Sequence, residues 1–451
     1  MIRPTALALA LTVATQATSA LGADPVSMTV SPADPAISAM LRDVSAAAMR
    51  SSDERLVAFG TRNLFSETSS ARGRGVFSAR DYIARRFRAI ARTSAARLSV
   101  ELDTYEQAKT ERTPRAVVVS SVIATLRGDE PSRGTIVMSS HYDSRNSDGN
   151  DATKDAPGAD DNGSGVAAVI EAARVMARRH YAATLVFACF DGEEQGLFGS
   201  DHYAQALKIR STVVEANLND DIIGTPAGHD GEASPSDVRL FSEALPAGAS
   251  TARVDTLGNE NDSPARELAR FAKEMGEAYV PDMHVRLVFR TDRFLRGGDQ
   301  ESFASRGYPA IRYVEPHENF DHQHQDVRVE NGVSYGDRLR YVDFGYLARV
   351  TRLNVAALAT LALAPAAPKP TLAAKRLEYV STLAWPAVPR AVSYRVLARR
   401  TDEMTWTRAF DAGTATTLTV PLSKDDWLFA VSAIDAQGHR SVAAFPTPVR
   451  D

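Results

Sequence analysis

Apolar residues recur along this chain with two different periods. From Ile37 to Phe59 they stand at helical spacing through Ile37, Met40, Leu41 and Val44, and Ala79 to Ala91 repeats the pattern through Tyr82, Ile83, Phe87 and Ile90. Residues three and four apart share a helix face, so each stretch predicts a helix. Leu98 to Tyr105 and Ala116 to Leu126 are rich in alternating or clustered β-branched residues, and Thr135 to Ser139 is a short apolar run ending at His141. These read as strands. Val166 to Arg178 returns to helical spacing, with Val166, Val169, Ile170, Ala173 and Met176 on one side and Arg174 and Arg178 on the other. Thr184 to Phe190 has no polar face at all, as expected of a central parallel strand covered by helices on both sides. The alternation over Leu98 to Gly224 predicts an α/β fold: a mixed, mostly parallel central sheet flanked by helices.

The pattern changes after Leu361. Ala362 to Pro370 is rich in Pro and Ala and reads as a semi-rigid linker, after which only short strands follow: Leu383–Trp385, Ser393–Ala398, Thr416–Val420 and Leu428–Ile434. A small all-β sandwich is expected there. Trp385, Tyr394 and the alternation Phe429, Val431, Ala433 resemble a fibronectin type III domain. On this reading a chain ending near Ala367 stays soluble and active.

The first residues predict a compartment. Arg3 precedes the apolar run Ala6 to Ala14, and small residues surround Thr18 to Ala23, the order required of a secretory signal peptide. The expected organisation is a signal peptide over 1–23, a catalytic unit over 24–365 and the sandwich over 366–451. The product would be periplasmic or secreted. No later apolar run reaches the length of about 18 residues that a spanning helix needs, so a membrane-spanning protein is not expected.

Composition narrows the chemistry. The 451 residues allow about two or three domains. Their 52 basic and 56 acidic side chains give a net charge of −4, without the basic excess of a nucleic-acid binder. The one cysteine, Cys189, excludes an intrachain disulfide and a thiolate-rich metal site. Any metal must be held by His, Asp and Glu.

Five acidic segments punctuate the chain, several of them where an apolar element ends. They are Ser140-His141-Tyr142-Asp143, Gly158-Ala159-Asp160-Asp161-Asn162-Gly163-Ser164-Gly165, Asp191-Gly192-Glu193-Glu194, Asn219-Asp220-Asp221-Ile222-Ile223-Gly224 and Asn319-Phe320-Asp321-His322-Gln323-His324. Asp143 stands where it can orient the His141 imidazole. Adjacent carboxylates in a tight turn repel unless a cation or a helix N-terminus offsets them. Two neighbouring glutamates allow one to bind metal and the other to move protons. Parallel sheets bind ligands beyond the carboxyl ends of their strands.

Taken in order, these segments resemble the zinc metallopeptidases of the M28 family over about Val44 to Leu361. The resemblance implies two co-catalytic Zn2+ ions: His141, Asp160 and Asp221 on one, and Asp160, Glu194 and His324 on the other, with Asp160 bridging. It places Glu193 as general base, Asp143 behind His141, and a cis peptide between Asp160 and Asp161. Asp221 is preferred to Asp220 because it stands three residues before Gly224; His324 is preferred to His322 for its Gln-His context. The implied activity is aminopeptidase cleavage of peptide or protein substrates. Carboxypeptidase, glutaminyl cyclase and receptor-like proteins share the fold, but a receptor-like relative would be expected to lack part of this set. Asp299 and Glu301 are candidates for binding a substrate ammonium.

Overall fold

A computed structural model describes residues 24–28, 34–67, 73–243, 245, 250, 257–374 and 377–450. The predicted signal peptide lies outside them. Eight strands form the main sheet: β1 (Leu98–Gln107), β2 (Val117–Leu126), β3 (Thr135–His141), β4 (Thr184–Phe190), β5 (Val214–Asp220), β6 (Asp237–Ser242), β7 (His284–Val288) and β8 (Ala310–Val314). Their order is β1-β2-β4-β3-β5-β8-β6-β7. The middle block β4-β3-β5-β8 is parallel, and antiparallel pairs join β1, β2 and β6 to it. All four central strands therefore end along one edge of the sheet.

Strand periodicity sorts the core. Ile136 and Met138 of β3, with Leu185, Phe187 and Cys189 of β4, pack against the helices Gly165–Met176 and Phe344–Leu363. Val137, Val186, Ala188 and Phe190 face the other way, toward Tyr203, Leu207 and Phe303. Burial on both faces is what the unbroken apolar run of β4 predicts. Cys189 belongs to this packing, its thiol pushed up to about 12 by burial, and is not poised for reaction.

The stretch from Ile37 is two helices rather than one, Pro35–Arg42 and Ala46–Val57. Asp34 caps the first. Ser45 caps the second by accepting from the Ala48 amide at 3.2 Å, which restarts the helix after a break at Asp43 and Val44.

Beyond a small hairpin, β9 (Arg328–Glu330) with β10 (Val333–Tyr335), the described residues form seven further strands. They are β11 (Thr371–Ala373), β12 (Ser381–Ala384), β13 (Ser393–Arg400), β14 (Arg408–Gly413), β15 (Thr417–Val420), β16 (Trp427–Ile434) and β17 (Thr447–Val449). Sheets β15-β12-β11-β17 and β14-β13-β16 enclose Leu383, Trp385, Tyr394, Val396, Phe410 and Val431. The Tyr394 hydroxyl accepts from the Val388 amide at 2.7 Å, so its polar tip is satisfied at the edge of an apolar core.

This all-β unit docks against the α/β unit, through contacts that the linker reading did not include. Arg399, fully buried, pairs with Asp262, whose carboxylate is buried, and Trp406 Nε1 donates to both carboxylate oxygens of Glu267 at 3.0 and 3.2 Å. Arg270 Nε donates to the Met404 carbonyl at 2.7 Å, and Arg440 pairs with Glu274. The Val26 amide also bonds to Ala409 of β14 at 2.8 Å.

Candidate functional site

His141 ends β3 and is buried. Its Nδ1 faces the Asp143 carbonyl at 3.2 Å and the Asp143 carboxylate at 3.5 Å. Asp143 itself is fully buried, and its two oxygens accept from the Glu193 and Glu194 amides at 3.2 and 3.1 Å. One carboxylate thus fixes both the imidazole and the turn that carries the two glutamates. Arg62, also fully buried, donates from Nε to the Tyr142 carbonyl at 2.6 Å and from its terminal nitrogens to the Pro157 and Gly158 carbonyls at 2.5 and 2.8 Å. This one guanidinium clamps the loop after β3 to the turn before the helix Gly165–Met176.

That turn decides which of its two aspartates reaches the centre. Gly158 adopts φ 53°, and a Cβ there would meet the Asp161 carbonyl at 2.6 Å and Arg62 at 2.7 Å, so only glycine fits. The Asp337 carboxylate accepts from the amides of Asp160 at 2.9 Å and Asp161 at 2.7 Å. Asn162 accepts from the Gly165 amide and donates to the Asp220 carbonyl, both at 2.9 Å. Held this way, Asp161 projects toward both histidines: Oδ1 is 3.2 Å from His141 Nε2 and Oδ2 is 2.9 Å from His324 Nε2.

Asp160 points elsewhere, which corrects the expected bridge. Its Oδ1 accepts from the Gly224 amide at 2.7 Å, close enough that a Cβ at Gly224 would lie 2.6 Å from it. Burial raises its carboxyl to about 6, and Glu315, which bonds to it, is itself pushed well above the usual carboxylate range by burial. Asp160 is a tie between this turn and the loop after β5. The cis peptide is correspondingly one residue later, between Asp161 and Asn162.

Two triads result. His141, Glu193 and Asp221 form one and Asp161, Glu194 and His324 the other, the ligating atoms of each lying within 4.8 Å of one another. His141 Nε2 is 3.4 Å from Asp221, and His324 Nε2 is 3.0 Å from Glu194. Asp221 follows β5, and its Oδ2 is 2.8 Å from Arg312, which reaches on to Asp292 at 2.7 Å. Asp220 turns the other way, accepting from Asn354 at 2.8 Å. His322 stacks on Tyr341 with ring centroids 3.6 Å apart, outside both triads.

The charges here are not balanced by protein groups alone. Glu194 Oε1 and Asp221 Oδ1 are buried without a hydrogen-bond partner. Burial raises the Glu193 carboxyl well above its usual range; His141 opposes this while Asp221 and Glu194 add to it. Burial pulls the His324 imidazole down, but Glu194 and Asp161 outweigh it and push it up to about 10. Imidazole nitrogens and carboxylate oxygens converging with orphaned buried acceptors form a donor set that fits divalent cations such as zinc.

The triads open on a cleft of about 500 Å³, also lined by Leu197, Ile222 and Leu295. Glu301 faces this cleft, whereas Asp299 is fully buried away from its lining. Nothing in the sequence marked Arg62, Asp292, Arg312 or Asp337 as partners of the site, whereas Gln323, part of the Gln-His context, donates from Nε2 to Asp161 at 3.2 Å. Isolated charges in loops carry no spacing signal; only folding makes them partners.

A profile of peptidase family M28 matches residues 121–331. A probable zinc metalloprotease of Leptosphaeria maculans is 44% identical over 418 residues, covering 91% of this chain and 97% of the relative. One of Pyricularia oryzae is 43% identical over 427 residues, covering 92% and 85%. Among solved structures, LapB of Legionella pneumophila aligns with a TM-score of 0.53 at 17% identity, covering 76% of this chain and 79% of that one. The LapA aminopeptidase of the same organism gives 0.50 at 18%, covering 74% and 78%. The chain belongs to peptidase family M28, the zinc metallopeptidase group that its ordered motifs resemble.

Proposed function

We propose that this protein is an exported aminopeptidase with two zinc ions, one held by His141 and Asp221, the other by Glu194 and His324, and both by Asp161. The observation that carries the reading is Asp161 itself, whose two oxygens face different histidines at 3.2 and 2.9 Å. Zinc in these positions would activate water and polarise the scissile carbonyl.

The residues of the chain do the rest. Glu193 is half-buried in the cleft wall beside His141 and Asp221, where it takes a proton from the attacking water and passes it to the departing amine. A C–N bond is broken and a carboxylate and an amine are formed. Asp143 keeps the His141 ring turned and sets both glutamate amides; Arg312 holds Asp221 against the pull of its neighbours. Glu301 supports the choice of a free N-terminus as substrate, because its carboxylate lines the cleft with no ion-pair partner within 4 Å among the described residues. Export rests on the leader-like order of residues 1–23.

The test compares leucine amide with its N-acetyl form, each with and without chelator. Cleavage of the free amine only, abolished by chelator and restored by zinc, is expected. Equal cleavage of the acetylated substrate would overturn the aminopeptidase assignment, since a carboxylate left facing no ammonium should cost binding.

A further inference from the structure

The cleft has an acidic floor and a basic mouth, and the two are built differently. Five arginines line it: Arg112, Arg145, Arg293, Arg296 and Arg312. Three are already neutralised. Arg312 pairs with Asp221 and Asp292; Arg293 pairs with Asp292 and Glu318, both at 3.0 Å; Arg296 meets Glu318 at 2.6 Å. Glu318 also meets Arg239, and the three arginines override its burial to hold it down at about 2.

Arg112 and Arg145 have no such partner. Neither meets a carboxylate within 4 Å among the described residues. Arg112 is exposed on the loop between β1 and β2, where the next residue, Thr113, is buried and accepts from the Thr110 amide at 2.8 Å. Arg145 stands four residues beyond His141. Its guanidinium donates to the Asn146 and Ser147 carbonyls at 3.1 and 3.2 Å, which orient it without cancelling its charge. Two loops thus bring two unneutralised guanidinium groups to the lining of the cleft that holds the triads.

Resting on the peptidase reading above, we infer that Arg112 and Arg145 form a subsite for a substrate carboxylate. A planar guanidinium matches a carboxylate with paired hydrogen bonds, and a charge already held in place loses little freedom on binding. With Glu301 also lining this cleft and outside any ion pair among the described residues, the site would grip a short peptide by an ammonium and a carboxylate together. The carboxylate has two chemical sources, an acidic side chain beyond the scissile bond or the free C-terminus of a short peptide.

Two matched pairs distinguish the sources: Leu-Asp-amide against Leu-Asn-amide, and Leu-Gly against Leu-Gly-amide. The native enzyme should favour the carboxylate member of at least one pair by about tenfold in kcat/KM, and the Arg112→Gln/Arg145→Gln double variant should bring that ratio close to one. Calorimetric titration of the favoured peptide onto the slow Glu193→Gln protein, with and without the two arginine substitutions, should show about a tenfold weaker Kd when the arginines are replaced, a reading independent of turnover. Ratios near one in the native enzyme, or ratios and Kd values unchanged by the double substitution, overturn the inference. Cleavage of neutral and acidic members alike leaves the peptidase reading standing; no cleavage of any member, with binding still dependent on the arginines, separates the two claims in the other direction.

Discussion

Two regions of this molecule bury acidic groups, and they do so in opposite ways. Where the sandwich docks, each acid meets a donor from the facing unit: Asp262 meets Arg399, Glu267 meets Trp406, and Glu274 meets Arg440. In the floor of the cleft, Asp161, Glu193, Glu194 and Asp221 crowd around two imidazoles, with Glu194 Oε1 and Asp221 Oδ1 left unpartnered. Buried charges persist only when paired, hydrogen-bonded or bound to a cation. The interface therefore gives each acid a donor from across the contact, though Glu274 Oε1 stays unpartnered, whereas the floor crowds four carboxylates around two imidazoles, a set suited to cations. Net composition hides this contrast, because both regions draw on the same residue types.

The largest effect should come from dividing the two glutamates. Glu193→Gln is expected to lower kcat by about two to four orders of magnitude while zinc is retained; Glu194→Ala should lose zinc as well as activity. Atomic spectroscopy beside turnover checks this, and equal zinc loss in both variants would place Glu193 among the ligands.

The interface should respond in stability rather than chemistry. Arg399→Met leaves Asp262 buried and unpaired, at an expected cost of about 3–5 kcal/mol in denaturant unfolding. A chain ending near Ala367 removes the partners of Asp262, Glu267 and Glu274 together, and should be less soluble than the full chain. A truncated chain with unchanged stability would restore the separable module suggested by the Pro-rich segment.

A smaller effect concerns pH. Burial pushes the Glu267 carboxyl up to about 7 against the pull of Arg270 and Trp406. Between its unfolded value of about 4.3 and about 7 the folded state binds more protons at this group, so its contribution to stability is full below that window and is lost as pH rises through it. Glu267→Gln should flatten the stability profile between about pH 4.3 and 7 relative to the native protein; an unchanged slope would mean that Glu267 does not titrate there.

Much of the architecture was legible because burial writes itself into composition. The unbroken apolar run of β4 and the turn acids beyond β3, β4 and β5 located the sheet and its functional edge. The helix Phe344–Leu363 was missed, since it is buried almost all round and shows no polar face to set its period. The docking of the sandwich was missed because Arg399 and Asp262 stand 137 residues apart with nothing local to join them.

The side chains gathered in the two triads were legible to within one residue. The two-residue alternation at the end of β5 separates Asp220, turned to Asn354, from Asp221, turned to His141. For Asp160 and Asp161 no such alternation applies. They occupy an irregular turn whose orientation is set by Arg62 and by Asp337, 176 residues beyond Asp161. Identical side chains in sequence neighbours can be told apart only by the backbone that carries them.

In the proposed centre Asp161, not its neighbour Asp160, is shared by both ions, and zinc stoichiometry separates the two. Asp161→Asn and Asp160→Asn should be compared as purified, folded proteins reconstituted with zinc and freed of excess ion. Asp161→Asn is predicted to hold fewer than one zinc per chain, because both sites lose a shared ligand, and Asp160→Asn to keep about two. Zinc lost from Asp160→Asn and kept by Asp161→Asn would make Asp160 the shared ligand instead.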